Sequence, residues 1–208
     1  MFDSSTPIRD FLNAAAAKKP TPGGGSVTAL VGALAASMGE MTVNYSIGKK
    51  GLEAYQDELK PALAQLTRAR EVLLQLMVED QMAFDALSAI KKLPDDAKDR
   101  AEKLSAAVIT CARVPQAIAA TGVAILERCD EIVSFVNHYL LSDLAVCADL
   151  SMACIRCAIY NVRINLKDIG DPAERTRIDQ SIGQILSRAL SLIQSITPRI
   201  WARDKQES

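Results

Sequence analysis

Histidine occurs once in the 208 residues, at His138, and aromatic side chains make up only 4% of the chain. A single imidazole leaves little for histidine-rich metal sites, and so few rings leave no platform for stacking nucleobases. A surplus of charge is missing as well: 24 Lys and Arg stand against 25 Asp and Glu, a formal charge of −1. That balance excludes the basic footprint of a nucleic-acid binder. Runs of alternating polarity and Asn-Gly hairpin dipeptides are absent, so strands are not expected. Long hydrophobic runs are absent too. The longest uncharged stretch, from Pro20 to Gly39, is rich in Gly, Ala, Ser and Thr. It is short and weakly apolar for a membrane span and reads as a buried helix. The opening MFDSSTPIRD lacks a basic start before an apolar run; no secretory leader is expected, and a cytoplasmic location is. Five cysteines, at 111, 129, 147, 154 and 157, are an odd number in apolar context and fit reduced thiols. Cys154 and Cys157 form a C-x-x-C inside a helical pattern with no second pair, so no metal site is expected.

What is there is helical periodicity throughout. With 49% apolar and 24% charged residues, the chain can build one substantial core and is short for two. We expect one all-helical domain over residues 1–208, a bundle with a long central helix and a buried helix. A first helix covers about 6–18. A second, capped by Ser26, runs to about Ile47 and stops at Gly48. A long one spans Leu52 to Lys91, with Pro61 in its first turn or at a kink. Another starts at Pro94 and reaches Arg128, with a possible kink at Pro115. A short helix near 130–136 leads to a loop through Asn137 and His138. Ser142 caps the next helix, to Lys167, and Gly170-Asp171-Pro172 turns the chain into a last helix ending near Trp201.

Three details carry chemistry. The first is the Gly23-Gly24-Gly25-Ser26 turn. It serves either as a tight loop with a capped helix or as a set of N–H groups facing a ligand. Behind it, Gly25, Ala29, Gly32, Ala36 and Gly39 make a stripe of small residues suited to close helix packing. Interior glycines cost about 1 kcal/mol each against alanine, which calls for such a reason. Val27, Val31, Leu34, Met38, Met41 and Tyr45 read as ordinary core, while Ser37, Glu40 and Asn44 face a cavity or a partner. The second detail is Asp80, which stands in the apolar series Leu73, Met77, Asp80, Phe84, Leu87. A carboxylate there is costly unless bonded. It is either an acid or base with a displaced pKa or a structural group bonded to a helix end. The third is the helix from Ser142. Asp143 sits in its first turn, where the dipole favours negative charge. Asn161, Arg163, Asn165 and Lys167 end it, facing solvent or walling a pocket.

Taken together, "PTPGGGSVTALVGALAASMGEMTVNYSIGKK", "EDQMAFDAL" from Glu79, "SDLA" from Ser142 and "NVRINLK" from Asn161 resemble the cyclodeaminase/cyclohydrolase family of folate enzymes. The resemblance covers most of the chain, in order. It differs in the loop "SFVNHYLLSD", which is bulkier than the family's Gly/Asn-rich one, and in a lysine run cut to Lys49 and Lys50. It implies an all-helical homodimer that binds a reduced folate and needs no cofactor beyond that substrate. The implied reaction is hydrolysis of 5,10-methenyltetrahydrofolate by carboxylate-assisted attack of water. The alternatives are ammonia-releasing cyclodeamination of formiminotetrahydrofolate, folate binding without turnover, and a helical interaction module. No fused formiminotransferase domain is expected, which favours hydrolysis. On this reading Asp80 and Asp143 are catalytic. Gly23, Gly24, Gly25, Ser26, Glu40, Asn44, Lys49, Ser142, Asn161, Arg163, Asn165 and Lys167 bind substrate, the cations taking its glutamate tail. Neither a nucleic acid nor a membrane is an expected partner.

Overall fold

The computed structural model describes residues 1–207. Among these lie six α-helices: α1 (Ile8–Ala16), α2 (Gly24–Asn44), α3 (Gln56–Lys91), α4 (Arg100–Ile132), α5 (Leu141–Leu166) and α6 (Pro172–Glu207). Single 3₁₀ turns at Glu53–Tyr55 and His138–Leu140 lead into α3 and α5. The all-helical expectation holds. The separate helix expected near 130–136 is the end of α4 and the turn after it. Gly48, at φ +70°, ends the turn behind α2 as glycine best can. Ser142 is exposed and one residue inside α5, whose cap is Leu140.

α2 lies in a groove between α3 and α5, with α4 as the floor. It runs antiparallel to both neighbours. Gly25, Gly32 and Gly39 meet Asp80, Leu73 and Leu66 of α3, whereas Gly24, Gly32 and Gly39 meet Asn161, Cys154 and Cys147 of α5. A Cβ on Gly32 would sit 2.8 Å from the Cys154 sulfur and 3.0 Å from Leu73. Small residues here let three helix axes approach, and the resulting contact offsets the poor helix propensity of glycine.

The orientation of α2 corrects the sequence reading. Its small stripe is the buried one; of the bulky stripe expected in the core, Val31 and Met38 are half-buried against it, whereas Val27, Leu34 and Met41 face outward, 39%, 52% and 40% exposed. Tyr45 is exposed as well. Hydrophobicity alone assigns the larger side chains to the core, but packing between two close neighbours selects for size. Both α2 and α4 are long and apolar enough to cross a membrane. Here they are bundle helices with 56% and 44% of their most apolar stretches buried.

A proline inside a helix leaves the carbonyl four residues back without its usual donor. Pro61 and Pro115 lie inside α3 and α4, where each lacks the N–H that would bond four residues back. The carbonyl orphaned by Pro115 is that of Cys111, and the Asn165 side chain donates to it at 2.9 Å. All five cysteines are free thiols. Cys154 is buried and Cys157 exposed, so the C-x-x-C pair does not converge. Burial pushes the Cys154 thiol up to about 12.

Candidate active site

Where α2 stops, its groove continues as a cavity of about 380 Å³. Gly23, Gly24 and Gly25 close one end, Asp80, Phe84, Leu87 and Lys91 of α3 form one wall, and Cys111 and Pro115 of α4 the floor. Asn161, Ile164, Asn165 and Asp168 form the opposite wall. The volume suits a small heterocycle.

Asp80 is half-buried on this wall. Its Oδ2 accepts a hydrogen bond from the Ser26 hydroxyl at 2.8 Å, and the Ser26 backbone N–H also faces the carboxylate. Ser26 itself is fully buried. Its hydroxyl does not cap α2 as expected; Gly23 holds the cap position, and Asp80 meets the free N–H end of the helix from outside. Burial raises the Asp80 pKa above the ordinary carboxylate value, with the two Ser26 bonds pulling against it. Both readings left open by the sequence therefore apply to one residue. Asp80 is tied to a helix end, and it remains a carboxylate whose proton affinity is raised beside a cavity.

The glycines matter for their missing side chains. None of the three has a positive φ, so the backbone does not require them. A Cβ on Gly25 would lie 2.0 Å from Asp80 Oδ1, and one on Gly24 would lie 3.1 Å from Asn161 Oδ1. The triplet clears space for two polar side chains against the first turn of α2.

Asn161 donates to Cys157 O at 2.9 Å, and Asn165 donates to Asn161 O at 2.8 Å as well as to Cys111 O. With the nitrogens held by backbone carbonyls, the two amide oxygens are left for other donors. The Cys111 thiol donates to Ala83 O at 3.5 Å. Burial first, and then the Asp80 charge, raises its pKa, so it lines the floor as a neutral thiol. Lys91 and Asp168 face each other at 4.0 Å on the rim. Cys111, Lys91, Pro115, Ile164 and Asp168 were not expected in the site, because their convergence depends on helix direction and not on local spacing.

The other proposed site residues lie elsewhere. Asp143 is half-buried in the first turn of α5, 18 residues from Asn161, or roughly 27 Å along the helix. Ser142 is beside it. Glu40 pairs with Arg70 at 2.6 Å and accepts from Thr67 at 2.8 Å, and with Asn44 it lines a shallow depression of about 310 Å³. The Lys49 ammonium donates to Asn137 Oδ1 and lies 4.8 Å over the Tyr139 ring. Arg163 lines a small hollow of about 200 Å³ on the α6 side, and Lys167 is exposed. One chain thus brings together Asp80, Ser26, the glycines, Asn161 and Asn165. It places Asp143, Ser142, Lys49, Glu40 and Asn44 towards the opposite end of the bundle. Among the described residues no three His, Cys, Asp or Glu side chains gather as metal ligands.

Residues 7–184 match the model of the formiminotransferase-cyclodeaminase family. The chain is 31% identical over 170 residues to methenyltetrahydrofolate cyclohydrolase of Methylorubrum extorquens, covering 80% of this chain and 82% of that protein. It is 28% identical over 201 residues to formimidoyltransferase-cyclodeaminase of Sus scrofa, where the match takes in 95% of this chain and 37% of the longer protein. A crystal structure of formiminotetrahydrofolate cyclodeaminase from Thermotoga maritima superposes with a TM-score of 0.89 at 27% identity, over 95% of this chain and 97% of that one.

Proposed function

Because the chain belongs to the formiminotransferase-cyclodeaminase family, it is a folate one-carbon enzyme, and we propose that it hydrolyses 5,10-methenyltetrahydrofolate to 10-formyltetrahydrofolate, with Asp80 as the proton-transferring group. The observation that carries this is the Asp80 carboxylate held by Ser26 on the wall of a cavity. The methenyl bridge is a cationic carbon between N5 and N10. An ionised Asp80 stabilises that cation, then accepts a proton as water adds to the carbon. The C–N5 bond breaks, N5 leaves with the proton from Asp80, and the formyl group stays on N10. One proton is released overall. The steps need only the folate and water.

The amide oxygens of Asn161 and Asn165 accept from the pterin N–H edge, and Phe84 and Ile164 flank the ring. The cavity takes the ring system, and the glutamate tail leaves through the mouth. A second reading, cyclodeamination, is favoured by the Thermotoga maritima likeness. There N10 attacks the formimino carbon, Asp80 protonates the departing nitrogen, and ammonia leaves. We further propose a cytoplasmic homodimer, supported by the outward apolar stripe of α2.

The test incubates purified protein separately with methenyl- and formiminotetrahydrofolate and follows the methenyl chromophore. Loss from the first compound supports hydrolysis, and appearance from the second supports cyclodeamination. No change with either contradicts both.

A further inference from the structure

We propose that the hollow beyond the Lys91–Asp168 pair is a second substrate subsite, which seats the acidic tail of a folate carrying more than one glutamate, with Lys91 taking the first carboxylate and Arg100 the next. The proposal deepens the folate reading and rests on it for the ligand. Its geometry stands on a common floor, a shared rim and a cation already held in place.

The floor comes from α4. Ala101, Leu104, Val108, Cys111 and Pro115 follow one another at intervals of three and four residues, so they share one face of the helix. Cys111 and Pro115 lie under the Asp80 cavity. Ala101, Leu104 and Val108 lie under a second hollow of about 510 Å³, nearer the start of α4. One strip of α4 thus underlies both, and from Pro115 to Ala101 it extends roughly 21 Å at the helix rise. A ring seated beside Asp80 and a tail laid along this strip lie end to end, with Leu104 and Val108 against the methylene groups of the tail.

The rim ties the two hollows together, because Lys91 and Asp168 line both. They face each other at 4.0 Å with side chains 54% and 45% exposed, and an ion pair so open to water contributes little. A substrate carboxylate therefore replaces Asp168 as the partner of Lys91 at small cost. Asp168 competes with the tail for that ammonium, and its own charge repels the tail, so it acts as a brake on affinity.

The far end holds Arg100. Its Nε donates to Leu93 O at 3.1 Å, and one of its Nη atoms lies 3.1 Å from Asp95. The Arg100 side chain is 19% exposed, whereas that of Asp95 is 96% exposed. A backbone carbonyl thus orients the guanidinium, while its carboxylate partner stands in water and is easily displaced. Ser105 adds a hydroxyl donor to the same hollow. Asp168 is the one acidic residue lining it, against the two cations. Lys49, Arg163 and Lys167, the cations expected from the sequence to take the tail, line neither cavity. A single glutamate reaches Lys91; a second, joined through the side-chain carboxyl of the first, reaches Arg100.

The test measures KM and kcat for 5,10-methenyltetrahydrofolate carrying one glutamate and carrying three joined through their side-chain carboxyls. For the wild type the triglutamate should show a KM about tenfold lower at equal kcat, the worth of one hydrogen bond between charged groups. Arg100→Ala should remove that advantage and leave the monoglutamate KM where it was. Lys91→Ala should raise KM for both substrates, and Asp168→Asn, which frees Lys91, should lower it for both. Since Arg100 also holds the loop before α4, Ser105→Glu is the second variant. It keeps the arginine, sets a negative charge beside it, and should raise the triglutamate KM alone. Equal KM for the two substrates in the wild type, or an equal rise for both in Ser105→Glu, overturns the proposal while the folate reading stands. If the wild type consumes neither substrate, the folate reading fails, and calorimetry with p-aminobenzoyl-triglutamate decides the subsite. Binding that Ser105→Glu weakens about tenfold supports it; no binding, or binding that the variant leaves unchanged, overturns it.

Discussion

Asp80, Ser26 and Gly25 act as a unit. The Ser26 hydroxyl favours the ionised carboxylate while burial disfavours it. Removing the hydroxyl leaves burial less opposed. Ser26→Ala is therefore expected to move the acid limb of the activity profile to higher pH without loss of fold, as a kcat/KM profile against pH would show. Because the folded pKa of Asp80 is raised, the native state holds a proton that the unfolded chain releases. Stability consequently falls as pH rises from the ordinary carboxylate range through the raised value, and is flat above it. Asp80→Asn should abolish that part of the slope, measured by urea unfolding at several pH values. Gly25→Ala forces its new Cβ into Asp80. Overpacking of this kind costs about 1–3 kcal/mol, and the carboxylate must move, so both the melting temperature and turnover should fall.

The glycines of the helices divide by what surrounds them. A Cβ added at Gly183 of α6 would meet nothing within 4 Å, so Gly183→Ala should stabilise by up to about 1 kcal/mol through helix propensity. Gly32→Val meets Cys154 and Leu73 instead and should destabilise by about 1–3 kcal/mol. Thermal denaturation of both variants checks the contrast. Much of this level is legible in sequence. Periodicity locates the long helices, and the small stripe of α2 announces a close approach. Which stripe of α2 turns inward is not legible, because a lone helix does not reveal that it has neighbours on two sides. The same holds for Asn165. Its amide satisfies the carbonyl that Pro115 orphans, a pairing across 54 residues that no local spacing encodes. Asn165→Leu should cost less stability in a Pro115→Ala background than in the wild type, since the new backbone N–H takes over that carbonyl. A double-mutant cycle reads the difference.

For the whole molecule, helix direction decides which residues meet. α5 runs parallel to α3, so Asp143 at its start and Asp80 near the end of α3 stay apart within one chain, however similar they look as buried-helix carboxylates. Fold class and the Asp80 position were readable from pattern and resemblance, whereas which helix ends meet depends on topology. Leu34→Glu puts a charge on the outward apolar stripe of α2; on the proposed homodimer it should leave a monomer in sedimentation velocity, where a dimer is expected of the wild type. The central claim is that Asp80 moves the proton in folate turnover. It is tested most directly by the steady-state rate of methenyltetrahydrofolate consumption by wild type and Asp80→Asn, each verified as folded by circular dichroism. The account predicts a loss of kcat by about 10²-fold or more in the variant; an unchanged kcat would contradict it.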